Sequence, residues 1–276
     1  MTAQAAGVGA PRVPGRGSVL IHFWEHQLWR FRSSFRATIV SGTVGPLMYL
    51  LGIGIGIGSQ VDARAAELPT SDYLEFVGPG LMAAAAMQLG AQESLWQTAG
   101  SLRWRGNYVS SIVTPLSIPQ LFFGHVTWIG FRALVAAVFY LLVLFLFGIP
   151  TLWTTLLAPF AAALTAMAFA GPLSAYTGWT TSQGGAEQSF PVILRLGIIP
   201  MYLFSGAFYP IDQLPVVLEW IARVLPVWHG VELVRGLMVD VDLSLAEGLG
   251  HLAVLLAYTG LGLLLGARTF VKALGT

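Results

Sequence analysis

A set of long stretches without a charged residue constrains this chain more than any other feature. The stretch from Thr38 to Gly58 contains 21 residues and no Asp, Glu, Lys or Arg. As an α-helix it would be about 31 Å long, which matches the hydrocarbon core of a bilayer. Only 10% of all residues are charged, whereas soluble domains carry roughly 25%. These observations predict an all-α integral membrane protein.

Six stretches of this kind are predicted to cross the membrane. They cover approximately residues 38–58, 76–97, 120–148, 152–179, 190–209 and 245–267. An even number of spans places both termini on the same side. The first 17 residues have no apolar core, so we expect a disordered cytoplasmic tail rather than a signal peptide. Residues 18–276 are predicted to form a single transmembrane domain.

The distribution of basic residues predicts which side is cytoplasmic. Nine basic residues lie on the side of the termini, namely Arg12, Arg16, Arg30, Arg32, Arg36, Arg103, Arg105, Arg268 and Lys272. Three lie in the opposite loops, namely Arg64, Arg223 and Arg235. Since cytoplasmic loops are enriched in Lys and Arg, both termini are predicted to be cytoplasmic, in a multi-pass protein of the inner membrane.

The first predicted span ends in "LGIGIGIG", residues 51–58, with glycine at every second position. A dinucleotide-binding loop needs the spacing G-x-G-x-x-G, which this stretch lacks. Within a helix, the glycines form two G-x-x-x-G pairs on two faces. The stretch therefore predicts close packing of neighbouring helices at Gly52, Gly54, Gly56 and Gly58.

Residues 18–36 are predicted to form an amphipathic helix that lies on the cytoplasmic membrane surface. The apolar side chains recur at helical spacing at Leu20, Trp24, Leu28, Phe31 and Phe35. Within this segment, "HFWEH" fits an inverted zinc-peptidase pattern, in which two histidines bind the metal and a glutamate acts as base. We favour the interfacial helix, because the two aromatic residues of the motif belong to an interfacial stripe and no third ligand is evident.

A second unusual segment separates the fifth and sixth predicted spans. Pro215 and Pro226 open two apolar segments of about eleven residues each, which is too short to cross a bilayer. We expect an extracytoplasmic helical hairpin that re-enters the membrane or lies at its surface. Glu219 and Arg223 are four residues apart and are predicted to pair on a helix. The candidate residues of this hairpin are Pro210, Pro215, Glu219, Arg223, Pro226, Glu232 and Arg235.

Three charged residues fall within or near the predicted spans: Glu93, Arg132 and Arg195. Charged side chains at membrane depth are costly and usually have a function and a partner. We predict that Glu93 pairs with one of the two arginines near the inner leaflet and closes the cytoplasmic side. The alternative is that the arginines extend their charged ends to the headgroups.

Several functions are excluded by what the sequence lacks. Without cysteine there is no disulfide, thiolate metal site or cysteine nucleophile. The single lysine, Lys272, is followed by alanine, so the chain contains no P-loop for ATP. No Ser–His–Asp set or carboxylate pair stands out, and His125, His229 and His251 are interpreted as packing or interface residues. We expect neither catalysis, a bound metal or cofactor, nor nucleic-acid binding.

Four segments together resemble the type-2 ABC exporter permeases. The match is closest to the branch that contains the nodulation lipo-oligosaccharide and daunorubicin exporter permeases. The segments are "GPLMYLLGIGIGIG" (45–58), "YLEFVGPGLMAAAAMQ" (73–88), "WRGNYVSSIVTPLSIPQLFFGH" (104–125) and "RLGIIPMYLFSGAFYPIDQLPVVLEWIARVLPVWHGVELVRGL" (195–237). The last segment, with its F-S-G-x-F-x-P turn, is the most specific.

This resemblance implies a function and partners. Residues 105–117 would be the coupling helix that binds a separate ATP-binding subunit, with Arg105, Tyr108, Ile112 and Val113 as contacts. The complex would contain two such subunits, which bind ATP and Mg²⁺, and two permease chains, identical or sibling. Its substrate would be an amphiphile such as a glycolipid, a lipo-oligosaccharide or a hydrophobic drug. Relatives often carry acidic residues before "TPL", whereas this chain has Arg103 and Arg105.

Two other classes of function were weighed against this one. An ion-coupled carrier with Glu93 as its proton site would often show an internal repeat of spans, which the sequence lacks. A membrane-embedded enzyme acting on lipids would need polar catalytic residues clustered at one depth. A neighbouring gene for a protein with a P-loop lysine would favour the exporter.

Overall fold

The computed structural model describes residues 16–56, 70, 73–104, 108, 116–185, 187–241 and 243–274. Over these residues all regular structure is helical. The α-helices are α1 (Arg16–Gly56), α2 (Tyr73–Gln92), α3 (Ile118–Leu146), α4 (Ala158–Ser182), α5 (Phe190–Val192), α6 (Ile199–Leu203), α7 (Val216–Val224), α8 (Pro226–Met238) and α9 (Leu245–Leu274). Wider π-helical turns follow α2 at Glu93–Gln97 and Gly100–Trp104, and a third, Ile193–Ile198, joins α5 to α6.

Among the residues that the structure describes, three helices are long and apolar enough to cross a membrane. They cover Ile118–Leu146, Trp153–Ser182 and Leu245–Leu274, where the third, fourth and sixth spans were predicted. The α3 helix begins at a capping box, in which the backbone N–H of Ser117 donates to the side chain of Gln120 at 3.0 Å. The six-span arrangement as a whole remains a prediction.

The other three predicted spans are not matched, within the described residues, by helices of this length and apolar composition. The first was predicted to end at Gly58, which lies outside the described residues. The second corresponds to α2 and its π-helical extension. The fifth is shorter than predicted, because α6 ends at Leu203 and the chain turns at Gly206, where φ is 79°.

The predicted boundary between a surface helix and the first span is absent, since α1 continues from Arg16 to Gly56 as a single helix of 41 residues. Its N-terminal half packs along the start of α3 rather than only on a membrane surface. Trp24 contacts the ring of Trp128 at 5.4 Å, and Phe31 contacts that of Phe131 at 5.9 Å. Two members of the predicted apolar stripe, Trp24 and Phe31, therefore bind a neighbouring helix, whereas Leu28 and Phe35 are exposed and their place at a membrane surface stays a prediction.

Helix α4 lies at the centre of the bundle and packs against α2, α3, α8 and α9. Helices α4 and α9 approach each other closely at two glycines. A Cβ atom added to Gly262 would lie 2.7 Å from the Cα atom of Gly171 and 2.5 Å from the Cδ atom of Pro172. Real Cβ atoms are essentially never this close to a neighbour. The two backbones are therefore in direct contact, and a side chain at either glycine would separate them.

The predicted glycine faces of α1 behave differently. Gly52 is exposed, and a Cβ atom placed on it would meet no atom within 4 Å. Within this chain, Gly52 therefore does not mediate close packing. The side-chain surroundings of Gly54 and Gly56 and the position of Gly58 lie outside the described part of the structure, so the packing role of these glycines stays a prediction.

The proline-opened segments form two helices, α7 and α8. Pro215 caps α7 and Pro226 is the first residue of α8. The predicted Glu219–Arg223 pair is present, with 2.7 Å between the Oε1 and Nη2 atoms. The two helices have different environments: α8 is buried between α2, α4 and α9, whereas the apolar side chains of α7 are mostly exposed. Whether the hairpin re-enters a membrane remains a prediction.

Two contacts between loop segments mark the two ends of the bundle. At one end, Arg103 and Glu187 form an ion pair of 2.8 Å between the two segments predicted to be cytoplasmic. At the other end, the backbone N–H of Thr151 donates to the carbonyl of Met238 at 2.9 Å. We refer to these as the cytoplasmic and the extracytoplasmic end, after the predicted topology.

Candidate functional site

A polar cavity of about 300 Å³ lies near the cytoplasmic end, between α1, the π-helical extension of α2, and α3. Its wall contains two arginines, one glutamate, two glutamines and two serines, together with aromatic side chains. The lining residues that matter below are Arg30, Glu93, Gln97, Tyr108, His125 and Arg132. Three of these were predicted from the sequence as site residues, and the fold brings them together although they come from three separate segments.

Glu93 and Arg132 form an ion pair across the cavity wall, with 2.5 Å between Oε2 and Nη1. Both side chains are largely shielded, with 15% and 18% of their surface exposed. Glu93 is the first residue of the π-helical turn Glu93–Gln97. Such turns insert one extra residue per turn and occur frequently at functional sites.

Arg195, the other predicted partner of Glu93, does not join this pair. It lies on the second π-helical segment, Ile193–Ile198, and its side chain is exposed. The predicted cluster of three charges is therefore a pair in the structure. Arg195 stands apart from it, which favours the alternative in which an arginine extends toward the headgroups.

A buried hydrogen-bond network around His125 lies beneath the cavity. The Nδ1 atom of His125 is 2.6 Å from the hydroxyl of Tyr108, and Nε2 is 2.8 Å from the hydroxyl of Thr98. Ser174 of α4 lies 3.3 Å from the same Nε2 atom. The network links α2, α3, α4 and the connecting segment, so His125 is the packing residue expected from the sequence, with a specific set of polar partners.

The position of Tyr108 corrects its predicted role. It was expected to project from the coupling segment and anchor a soluble partner. Instead only 5% of the residue is exposed, and its ring packs 6.1 Å from that of Phe270 on α9. Burial raises the pKa of its phenol, which therefore stays neutral. Because the side chain points into the permease, it does not supply a docking contact. Arg105, Ile112 and Val113 lie outside the described residues.

Arg235 was predicted as a residue of the hairpin, and the structure buries its side chain. Its side chain is 2% exposed and connects α8 to two other parts of the fold. Nη2 donates to the carbonyl of Gly206 at 2.8 Å, Nε donates to that of Phe76 at 3.3 Å, and Nη1 pairs with Glu232 at 2.7 Å. The i,i+3 spacing of Glu232 and Arg235 was visible in the sequence, but nothing in the sequence indicated burial.

The remaining histidines pair at the extracytoplasmic end. His229 of α8 and His251 of α9 approach to 2.8 Å between their Nδ1 atoms. Since Nε2 of His229 donates to the carbonyl of Arg223 at 2.8 Å, its Nδ1 is the acceptor when the ring is neutral.

The histidines of the zinc-peptidase pattern in α1 are not joined by further metal ligands. In the described ranges, no group of three or more His, Cys, Asp or Glu residues is placed to hold a metal ion.

We predict that Glu93 and Arg132 are energetically coupled. Glu93→Gln is expected to lower the melting temperature in detergent, because Arg132 then keeps its charge in a shielded site without its partner carboxylate. The exchange Glu93→Arg with Arg132→Glu should restore part of the loss, and a double-mutant cycle should give a coupling of about 0.5–3 kcal/mol. The exchange of Glu93 with Arg195 is the control and should restore nothing. Equal recovery in both exchanges would contradict the assignment.

Residues 19–239 match the protein family described as ABC-2 type transporter. Three similar curated proteins are each called Nodulation protein J. The chain is 27% identical to that of Rhizobium leguminosarum bv. viciae over 252 residues, which are 91% of this chain and 93% of the relative. It is 28% identical to that of Rhizobium meliloti over 227 residues, 82% and 83% of the two chains.

The third relative, from Sinorhizobium fredii, is 27% identical over 220 residues, 80% of this chain and 81% of the relative. No solved structure was found to match. The relatives therefore correspond to this chain over 80–91% of its length.

Proposed function

Because the chain belongs to the ABC-2 type transporter family, we propose that it is the permease subunit of an ATP-driven exporter that moves an amphiphile across the inner membrane. The family match over residues 19–239 is the observation that carries this proposal. It covers nearly all of α1 and continues to the end of α8, and the described part of the chain includes three helices able to span a membrane. The substrate class, a glycolipid, lipo-oligosaccharide or hydrophobic drug, follows the exporter branch that the sequence resembles.

ATP hydrolysis would take place on a separate subunit that binds ATP and Mg²⁺. We place its binding site at the cytoplasmic end, where the start of the coupling segment meets the loop after α4. The ion pair between Arg103 and Glu187 supports this placement, because it joins the two segments into one surface. Burial tends to raise the pKa of Glu187, but its hydrogen bonds and the charge of Arg103 outweigh this and lower it, so the pair is ionised at neutral pH.

Transport would couple to hydrolysis through this surface. Closure of two ATP-binding subunits would displace the coupling segments of two permease chains, identical or sibling, and the amphiphile would leave between them. Within each chain the displacement would reach the bundle through Tyr108, because it contacts His125 of α3 and Phe270 of α9. Tyr108 thus has a role in transmission within the permease rather than in docking.

The proposal is tested by co-expressing the chain with its ATP-binding subunit and purifying the complex in lipid nanodiscs. We expect ATP hydrolysis that increases when the substrate amphiphile is added from a panel of glycolipids, lipo-oligosaccharides and hydrophobic drugs. A complex with a catalytically inactive ATP-binding subunit is the control. A chain that transports an amphiphile with a proton gradient alone, and without ATP, would contradict the proposal.

The predicted topology gives a separate test in a chain that has no cysteine of its own. Asp240 is exposed near the end of α8, and Gln183 is exposed at the end of α4. A cysteine at Asp240 should react in intact cells with a membrane-impermeant thiol reagent, whereas one at Gln183 should react only after the membrane is opened. The reverse pattern would overturn the assignment of both ends and the outward direction of transport.

A further inference from the structure

The polar cavity carries an excess of positive charge. Its described lining residues include two arginines, Arg30 and Arg132, and a single carboxylate, that of Glu93. That carboxylate is bound to Arg132. His125 is buried and its ring nitrogens bind hydroxyl groups rather than a carboxylate, so no counter-ion stabilises a charged ring. The cavity wall therefore has a net charge of about +1, located at Arg30.

Arg30 has no counter-ion among the residues that the structure describes. Of the ion pairs found there, one involves Arg132 and none involves Arg30. The charge of Arg30 acts on Tyr108, but burial keeps that phenol neutral, so Tyr108 is not the missing anion. An arginine at a polar cavity without an acidic partner is the arrangement by which proteins bind carboxylates and phosphates.

We propose that this cavity binds the phosphate of an anionic lipid headgroup from the cytoplasmic leaflet. The guanidinium of Arg30 would form the charged hydrogen bonds to the phosphate oxygens. Gln27, Ser33, Gln97 and Ser101 line the same space and supply neutral donors for the remaining headgroup oxygens. A cavity of about 300 Å³ is at the small end of ligand sites, which suits a headgroup rather than a whole lipid.

The surroundings of the cavity favour a lipid over free phosphate. Next to Arg30 on α1, Leu28 and Trp29 are 43% and 73% exposed, and Phe123 on α3 is 47% exposed. These apolar side chains are on two helices that form the cavity, and one of these helices is long and apolar enough to span the membrane. An acyl chain can lie along them while the headgroup occupies the cavity. The inference requires membrane insertion but neither transport nor ATP hydrolysis.

The test is binding of phosphatidylglycerol to the purified full-length chain in detergent, measured by native mass spectrometry. Arg30→Gln should raise the Kd for phosphatidylglycerol about tenfold, the typical contribution of a charged hydrogen bond. Arg32→Gln is the matched control, because Arg32 lies two residues away on the same helix and is exposed like Arg30, but does not line the cavity. It should change the Kd less than about twofold.

A second variant tests the site without altering Arg30. Gln97→Glu adds a carboxylate to the cavity wall and should also weaken binding of phosphatidylglycerol about tenfold, while binding of zwitterionic phosphatidylcholine changes less. An unchanged Kd in Arg30→Gln, or an equal loss in Arg32→Gln, would overturn the proposal. Displacement of the lipid by inorganic phosphate at similar concentration would assign the site to free phosphate and would also overturn it. A failure of the export proposal would not affect these measurements.

Discussion

Arg235→Ala is expected to lower the free energy of unfolding by about 3 kcal/mol, because it removes a buried guanidinium that makes a partly buried ion pair and two buried hydrogen bonds. The substitution leaves the carboxylate of Glu232 without its cation and the carbonyl of Gly206 without a donor. It also removes a guanidinium that lies 3.9 Å from the ring centre of Phe76. Thermal or denaturant unfolding in detergent, followed by helical circular dichroism, measures the loss.

The same hairpin provides a matched control. Arg223→Ala removes an arginine that also pairs with a glutamate, but this pair is exposed and lies on α7. Such a pair contributes roughly 0–1 kcal/mol. Arg235→Lys is an informative third variant, because it keeps the charge but cannot donate to both carbonyls and the carboxylate together, so an intermediate loss is expected. Similar stability of Arg235→Ala and Arg223→Ala would contradict the anchoring role of Arg235.

Gly262→Ala is expected to destabilise the protein by about 1–3 kcal/mol, although it adds only one methyl group. The new Cβ atom would lie 2.7 Å from the Cα atom of Gly171 and from the backbone nitrogen of Pro172. Neither is a flexible side chain that can move aside, so the helices α4 and α9 must separate. The melting temperature of the purified protein, together with the yield of folded protein from the membrane, reports this effect.

Gly260→Ala is the control on the same helix, and we expect it to stabilise the protein rather than destabilise it. A Cβ atom at this position meets no atom within 4 Å. Replacing a helical glycine with alanine in open space stabilises by about 0.4–1 kcal/mol, because the unfolded chain loses conformational freedom. A destabilisation of similar size at both positions would show that the loss at Gly262 reflects glycine content in general rather than the contact with Gly171.

The sequence predicted those parts of the fold that depend on local composition. Length and hydropathy locate α3, α4 and α9, because a spanning helix must satisfy its backbone hydrogen bonds internally and face apolar surroundings. The i,i+4 spacing predicted the Glu219–Arg223 pair, because residues four apart are neighbours on a helix surface. Because a charged side chain at membrane depth is costly, the sequence indicated that Glu93 needs a partner and offered two candidate arginines. The fold brings one of them, Arg132, into contact with Glu93.

What the sequence did not predict depends on contacts between distant segments. The burial of Tyr108 is determined by His125 and Phe270, which lie 17 and 162 residues away along the chain. Arg235 binds the carbonyl of Phe76, 159 residues away. The glycine pattern of α1 was conspicuous, yet the close helix contact is made by Gly171 and by Gly262, which belongs to a less conspicuous G-x-x-x-G pair with Gly266. Periodicity shows which faces are small or apolar, but not which faces meet.

The contact between Gly171 and Gly262 has a mechanical consequence for a transport cycle. Two helices whose backbones touch cannot roll or slide on each other without a clash, so α4 and α9 should act as one stiff lever. This lever ends at the cytoplasmic side, where the loop with Glu187 follows α4, and where Phe270 of α9 packs on Tyr108. If this lever rotates, contacts that deform more easily must change, such as the aromatic contact between α1 and α3. The side chains of that contact are Trp24, Phe31, Trp128 and Phe131.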